Sequence, residues 1–89
     1  SGVAISNDWY QYENAWYYFG ADCYMYESKW LLYKEQYYYF DTDGKMATSA
    51  YIRSKDPTSE LYYWIDENGI YQSKWDTKSP DLNNYRLVE

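Results

Sequence analysis

Trp9, Trp30 and Tyr51 stand 21 residues apart, and Trp16 and Tyr37 repeat at the same spacing. An aromatic face attracts cations, most strongly for Trp, and its flat apolar surface can stack on the faces of sugars. Rings recurring at a fixed interval can therefore form the walls of several similar small sites. The same shift lays Phe19 on Phe40, Asp22 on Asp43 and Met25 on Met46. A third copy follows a four-residue insertion near 55–58. There Tyr62-Tyr63-Trp64-Ile65 matches residues 37–40, and "DENG" at 66–69 matches "DTDG" at 41–44. A last, degenerate copy runs from 75 to 88.

A period near 20 residues implies stacked supersecondary units, each resting on its neighbours. Each copy is dense in Tyr, Trp and Phe, which favour strands, and is broken by a polar turn, so each reads as a β-hairpin. The expected fold is all-β, a β-solenoid of about four stacked hairpins with a roughly 21-residue repeat. The hairpins fall at about 9–19, 30–40, 51–65 and 75–88, within one module over 9–89. Turns are expected at Glu13-Asn14, Lys34 to Gln36, Lys55 to Ser59 and Lys78 to Asn84. Gly44 and Gly69 suit the positive φ of a tight reversal between hairpins, and Cys23 stands where the first copy would have glycine. Alternation along a strand puts Trp16 and Tyr18 on one face and Tyr17 and Phe19 on the other.

The composition excludes several functions. Tyr occurs 15 times and Trp five, against few aliphatic residues, so rings must replace an aliphatic core. A formal charge of −6 repels nucleic-acid backbones and anionic lipids, and the basic residues are scattered singly. No apolar run is long enough for a membrane-spanning helix. The single cysteine, Cys23, forms no internal disulfide. With no histidine, no nucleophile elbow and no glycine-rich phosphate loop, the chain reads as non-catalytic and without cofactor. The "DTDGK" stretch resembles a calcium loop, but aligning Gly44 to the invariant glycine puts Tyr39 first and Ala50 last; at Gly69 the same test gives Trp64 and Trp75. No metal site is expected. Ser1-Gly2 reads as a cloning scar and 1–8 as a lead-in, which suggests a piece of a longer protein.

The stretches "WYQYENAWYYFGADCYM" and "WLLYKEQYYYFDTDGKMATSAY" resemble the cell-wall-binding repeats of Gram-positive secreted proteins, whose unit has the form GW…WYYFDxxGxMxTGW. The choline-binding modules of autolysins and phage lysins are similar, as are glucan-binding and clostridial toxin repeats. The resemblance implies an extracellular, cell-surface module that holds the choline of teichoic acid in aromatic cages between successive hairpins. By position, it implies first-strand cage residues Trp9, Trp30 and Tyr51, second-strand residues Trp16, Tyr37 and Tyr62, and their same-face neighbours Tyr18, Tyr39 and Trp64. Met25 and Met46 fall on the family's Met, with Tyr71 in its place in the third unit. Ser28-Lys29-Trp30 and Ser49-Ala50-Tyr51 depart from the family's Gly-Trp. The degenerate end, with Trp75, Tyr85 and Leu87, reads as a cap or a homodimer contact.

Two other readings use the same rings. They could bind a glucan or host glycan, with polar neighbours such as Gln11 and Asn14 supplying hydrogen bonds. They could also serve only as packing between hairpins, in a structural spacer or dimerisation module.

Overall fold

The computed structural model describes residues 4–89, so Ser1 and Gly2 of the expected scar lie outside the described residues. Strand β1 (Asp8–Tyr12) pairs antiparallel with β2 (Ala15–Phe19), and β3 (Lys29–Tyr33) with β4 (Gln36–Phe40). Both hairpins close through two-residue turns whose residues have positive φ, 48° and 66° at Glu13 and Asn14, and 48° and 67° at Lys34 and Glu35. That backbone matches the strand twist and permits the shortest connection, although it disfavours L side chains. Gln36, expected in the second turn, is instead the first residue of β4.

The third hairpin joins β5 (Ala50–Arg53) to β6 (Tyr62–Ile65) through a longer loop that accommodates the insertion. Within the loop the Asp56 carboxylate accepts hydrogen bonds from the Thr58 backbone N–H at 2.9 Å and its hydroxyl at 2.8 Å. These bonds favour the charged form and hold the Asp56 carboxyl below its ordinary pKa. Lys55 reaches back to donate to the Ser28 carbonyl, tying the insertion to the second hairpin.

The repeat is also a hydrogen-bond pattern. Before each first strand, Asn7, Ser28 and Ser49 take φ of 52°, 50° and 46°, and their N–H groups donate to Gly20, Asp41 and Asp66 carbonyls at 3.2, 3.0 and 3.0 Å. Asp41 Oδ1 accepts from the N–H groups of Asp43 and Lys45 at 2.8 and 2.9 Å, and Asp66 Oδ1 from those of Asn68 and Ile70 at 2.9 Å each. The acidic connectors are thus self-capped turns. In the second and third connectors glycine is required twice over. A Cβ on Gly44 (φ +84°) would meet Met25 Sδ at 2.6 Å, and one on Gly69 (φ +85°) would meet Met46 Cε at 2.6 Å.

Each hairpin has a face toward the preceding unit and a face toward the next, and rings fill the seams between them. Tyr18, Leu31 and Phe40 are buried in the first seam with Trp9, Tyr33 and Tyr38 against them. Tyr39, Ile52 and Ile65 are buried in the second, with Trp30, Tyr63 and Tyr71 alongside. The stack is elongated, 47 × 27 × 23 Å.

The fourth hairpin expected over 75–88 does not form. Ser73–Trp75 make a 3-10 turn, and Thr77 bridges Tyr62, exchanging backbone bonds of 2.8 and 3.1 Å along β6. The chain then crosses over, and β7 (Arg86–Val88) adds to β5 in parallel, Tyr51 facing Leu87. Pro80 lacks an N–H and the stretch has no short turn sequence, so these residues cover both edges of the third hairpin rather than pair with each other. The architecture remains all-β.

Candidate aromatic cages

Two hollows lie in equivalent seams. The first, about 330 Å³, is lined by Trp9, Trp16, Tyr33, Tyr38, Met46 and Asn68. The second, about 370 Å³, is lined by Trp30, Tyr37, Tyr63 and Tyr71. A first-strand Trp forms the back of each, and the second residue of the second strand forms a side wall, Trp16 or Tyr37, 40% and 46% exposed. The next hairpin supplies the opposite wall, Tyr38 or Tyr63, and its connector supplies the fourth, Met46 or Tyr71.

Backbone bonds set this fourth wall. Met46 N–H donates to the Trp16 carbonyl at 2.8 Å, and Tyr71 N–H to the Tyr37 carbonyl at 2.9 Å. The rings stand nearly perpendicular to one another. Trp9 and Tyr38 centroids are 5.0 Å apart at 76°, Trp9 and Trp16 6.2 Å at 86°, and Trp30 and Tyr63 5.8 Å at 81°. Crossed ring planes leave faces and edges around a compact space, with no charged side chain lining either hollow.

The second cage is braced from behind. The Tyr71 hydroxyl lies 2.8 and 2.9 Å from the two Asp76 carboxylate oxygens. Burial, the hydrogen bond to Asp76 and the Asp76 charge together push the Tyr71 hydroxyl well above the usual tyrosine pKa. It remains a neutral donor, fixed in place. Tyr18, behind the first cage, is also raised, chiefly by burial.

The expected residues divide into several groups. Trp9, Trp16, Trp30, Tyr37 and Met46 line the hollows. Tyr18 and Tyr39 do not; they are 7% and 0% exposed, packed behind Trp9 and Trp30 as core. They share the cage face, but lie farther along the strand, where the next hairpin closes over them. Met25 lies against Gly44, in a connector rather than a cage. Tyr62 accepts a hydrogen bond from Arg53 at 3.1 Å and lines a separate polar groove with Glu60 and Lys78. Tyr51 and Trp64 pack at 4.9 Å and line a third groove that Trp75 and Tyr85 complete; Leu87 is half-buried in β7. Tyr33, Tyr38 and Tyr63 were missed because they lie on the opposite strand face, the one that looks back to the preceding unit.

Comparison with known proteins matches this geometry. The family described as "Putative cell wall binding repeat" matches residues 5–22 and 28–46. The cell-wall endolysin of pneumococcal phage Cp-1, solved in complex with choline, is similar at 29% identity and a TM-score of 0.64, over 76% of this chain and 19% of its own. Choline binding protein F of Streptococcus pneumoniae matches at 25% identity and TM-score 0.57, over 74% of this chain and 20% of its own. The choline binding domain of Spr1274 from the same organism, at 21% identity and TM-score 0.64 over 79% of this chain and 78% of its own, shares the fold. No curated protein sequence matches. This chain thus spans about a fifth of the length of the endolysin it matches. Residues 5–22 and 28–46 match the cell-wall-binding repeat, and the ring spacing and paired hairpins make the described chain similar to the choline-binding repeat modules of these proteins.

Proposed function

We propose that the chain is a non-catalytic anchor that holds choline groups of teichoic acid in its two seam cages, keeping a secreted partner domain at the cell surface. The observation that carries this reading is the pair of equivalent hollows, walled by rings and free of charged side chains. A quaternary ammonium has no N–H to donate, so polar walls would gain nothing from it. Ring faces each contribute about 0.5 to 2 kcal/mol by cation–π attraction. Two weak sites reading one polymer strengthen each other through effective concentration. The endolysin of phage Cp-1, solved with choline, supports the same ligand.

Calorimetric titration with choline, against sodium chloride as control, should give two sites. Trp9→Ala should weaken one and Trp30→Ala the other, each by about 3- to 30-fold. Saturation identical to wild type in both variants would remove choline from the cages.

A further inference from the structure

The third groove, about 500 Å³, differs in kind from the two cages. Its aromatic walls include Trp64 and Tyr85, 4.7 Å apart at 69°, and Trp75, which is 60% exposed at its mouth. Tyr62, which corresponds in the repeat to Trp16 and Tyr37, is turned away onto Arg53. The wall that a following hairpin would supply comes instead from the 3-10 turn and the crossing segment, which bring Lys74, Asp76, Ser79 and Asp81 to the rim. One Asp81 oxygen accepts from Asn84 at 2.9 Å, which leaves its other oxygen, the Ser79 hydroxyl and the Lys74 ammonium as donors and acceptors around a ring platform.

We infer that this groove is a saccharide site, in which a hydroxylated sugar ring stacks on Trp75 and Trp64 while Asp81, Ser79 and Lys74 hydrogen-bond its hydroxyls. A sugar ring presents apolar C–H faces and a rim of hydroxyls that both donate and accept, and the groove offers flat rings beside both kinds of partner. A quaternary ammonium has neither N–H nor O–H and would leave the Ser79 hydroxyl and the Lys74 ammonium without partners, whereas sugar hydroxyls serve both them and the Asp81 carboxylate. The groove is separate from the cages, so the module would grip a polymer at two chemical features, its cationic substituents and its sugars. This inference does not depend on the cages binding choline.

The test follows the indole N–H signals of the isotope-labelled protein while chitotetraose, and separately maltotetraose, is titrated in with choline saturating. Saturable shifts of the Trp64 and Trp75 indoles, with Trp9, Trp16 and Trp30 unmoved, are expected for at least one saccharide. Trp75→Ala and Asp81→Asn should each weaken that binding about tenfold or more, while the indole signals of Trp9, Trp16 and Trp30, which report an intact stack, stay as in wild type. No saturable shift with either saccharide, or shifts confined to the cage indoles, would overturn the assignment. So would unaltered saccharide affinity in both variants.

Discussion

The two cages occupy the same backbone positions but are closed in different ways. Met46, a flexible thioether, completes the first, while Tyr71, held by both oxygens of Asp76, completes the second. The side wall also changes, from Trp16 to Tyr37. The first cage therefore has the better cation–π ring and the looser fourth wall; the second has the weaker ring and a fixed one. The hydrogen-bonded repeat dictates where a site forms. The residues at four positions, and for the second cage the segment that follows the repeats, dictate how rigid it is.

The largest way to break this comparison is through Gly69, whose φ of +85° and contact with Met46 support the first cage from a different hairpin. Gly69→Ala places a Cβ where Met46 Cε lies 2.6 Å away, on a backbone that L residues disfavour. Strain and displaced packing together should cost about 2 to 4 kcal/mol in urea unfolding. The surviving folded protein should lose choline affinity in the first cage more than in the second. A change below about 0.5 kcal/mol would show that Met46 has free room to move.

Next in size is the brace on the second cage. Asp76→Asn retains shape but removes the charge that fixes the Tyr71 hydroxyl, and should lower stability by about 1 to 2 kcal/mol. Choline binding in the second cage should weaken while the first is unchanged. The alkaline limb offers an independent check. Because the folded chain raises the Tyr71 pKa, it favours the neutral hydroxyl, so this contribution is complete below the ordinary tyrosine value near about 10 and is lost as pH climbs past it. Thermal unfolding followed upward from about pH 9 should decline more steeply for wild type than for Tyr71→Phe. Parallel declines would mean that Tyr71 titrates alike in the folded and unfolded chains.

How much of this was legible in the sequence follows from which forces are local. The 21-residue spacing fixed three hairpins, and Glu13-Asn14 was readable as a turn because strand rings flank it on both sides. First-strand Trp9 and Trp30, with Trp16 and Tyr37 opposite, could be placed because both strands of a cage wall lie within one unit. Tyr38 and Tyr63 could not be placed by same-face alternation. They serve the seam behind them, so finding them requires knowing that a site is shared by opposite faces of two hairpins. Tyr18 and Tyr39 have the right face but the wrong depth, a matter of how far the next unit overlaps. The end of the chain was least legible. Parallel addition of β7 to β5 is a long-range pairing that competes with a local hairpin, and no spacing in 75–88 announces it.

The smallest expected effect sharpens the comparison between connectors. Cys23 occupies the position of Gly44 and Gly69 with φ +67°, yet it is exposed, and the repeat position equivalent to Met25 and Met46 holds Ala4 in the copy before it. Its cost is therefore conformational alone. Cys23→Gly should relieve the left-handed strain, partly offset by the greater freedom of glycine in the unfolded chain, for a net gain of about 0.5 to 1 kcal/mol. Cys23→Ala keeps the same backbone restriction and should leave stability unchanged. The reciprocal Gly44→Cys adds a side chain where Met25 Sδ lies 2.6 Å from the Cβ position, and should destabilise several times more than the first change stabilises. Equal and opposite effects of Cys23→Gly and Gly44→Cys would mean that backbone strain alone selects glycine in the connectors, and that the methionine contact contributes nothing.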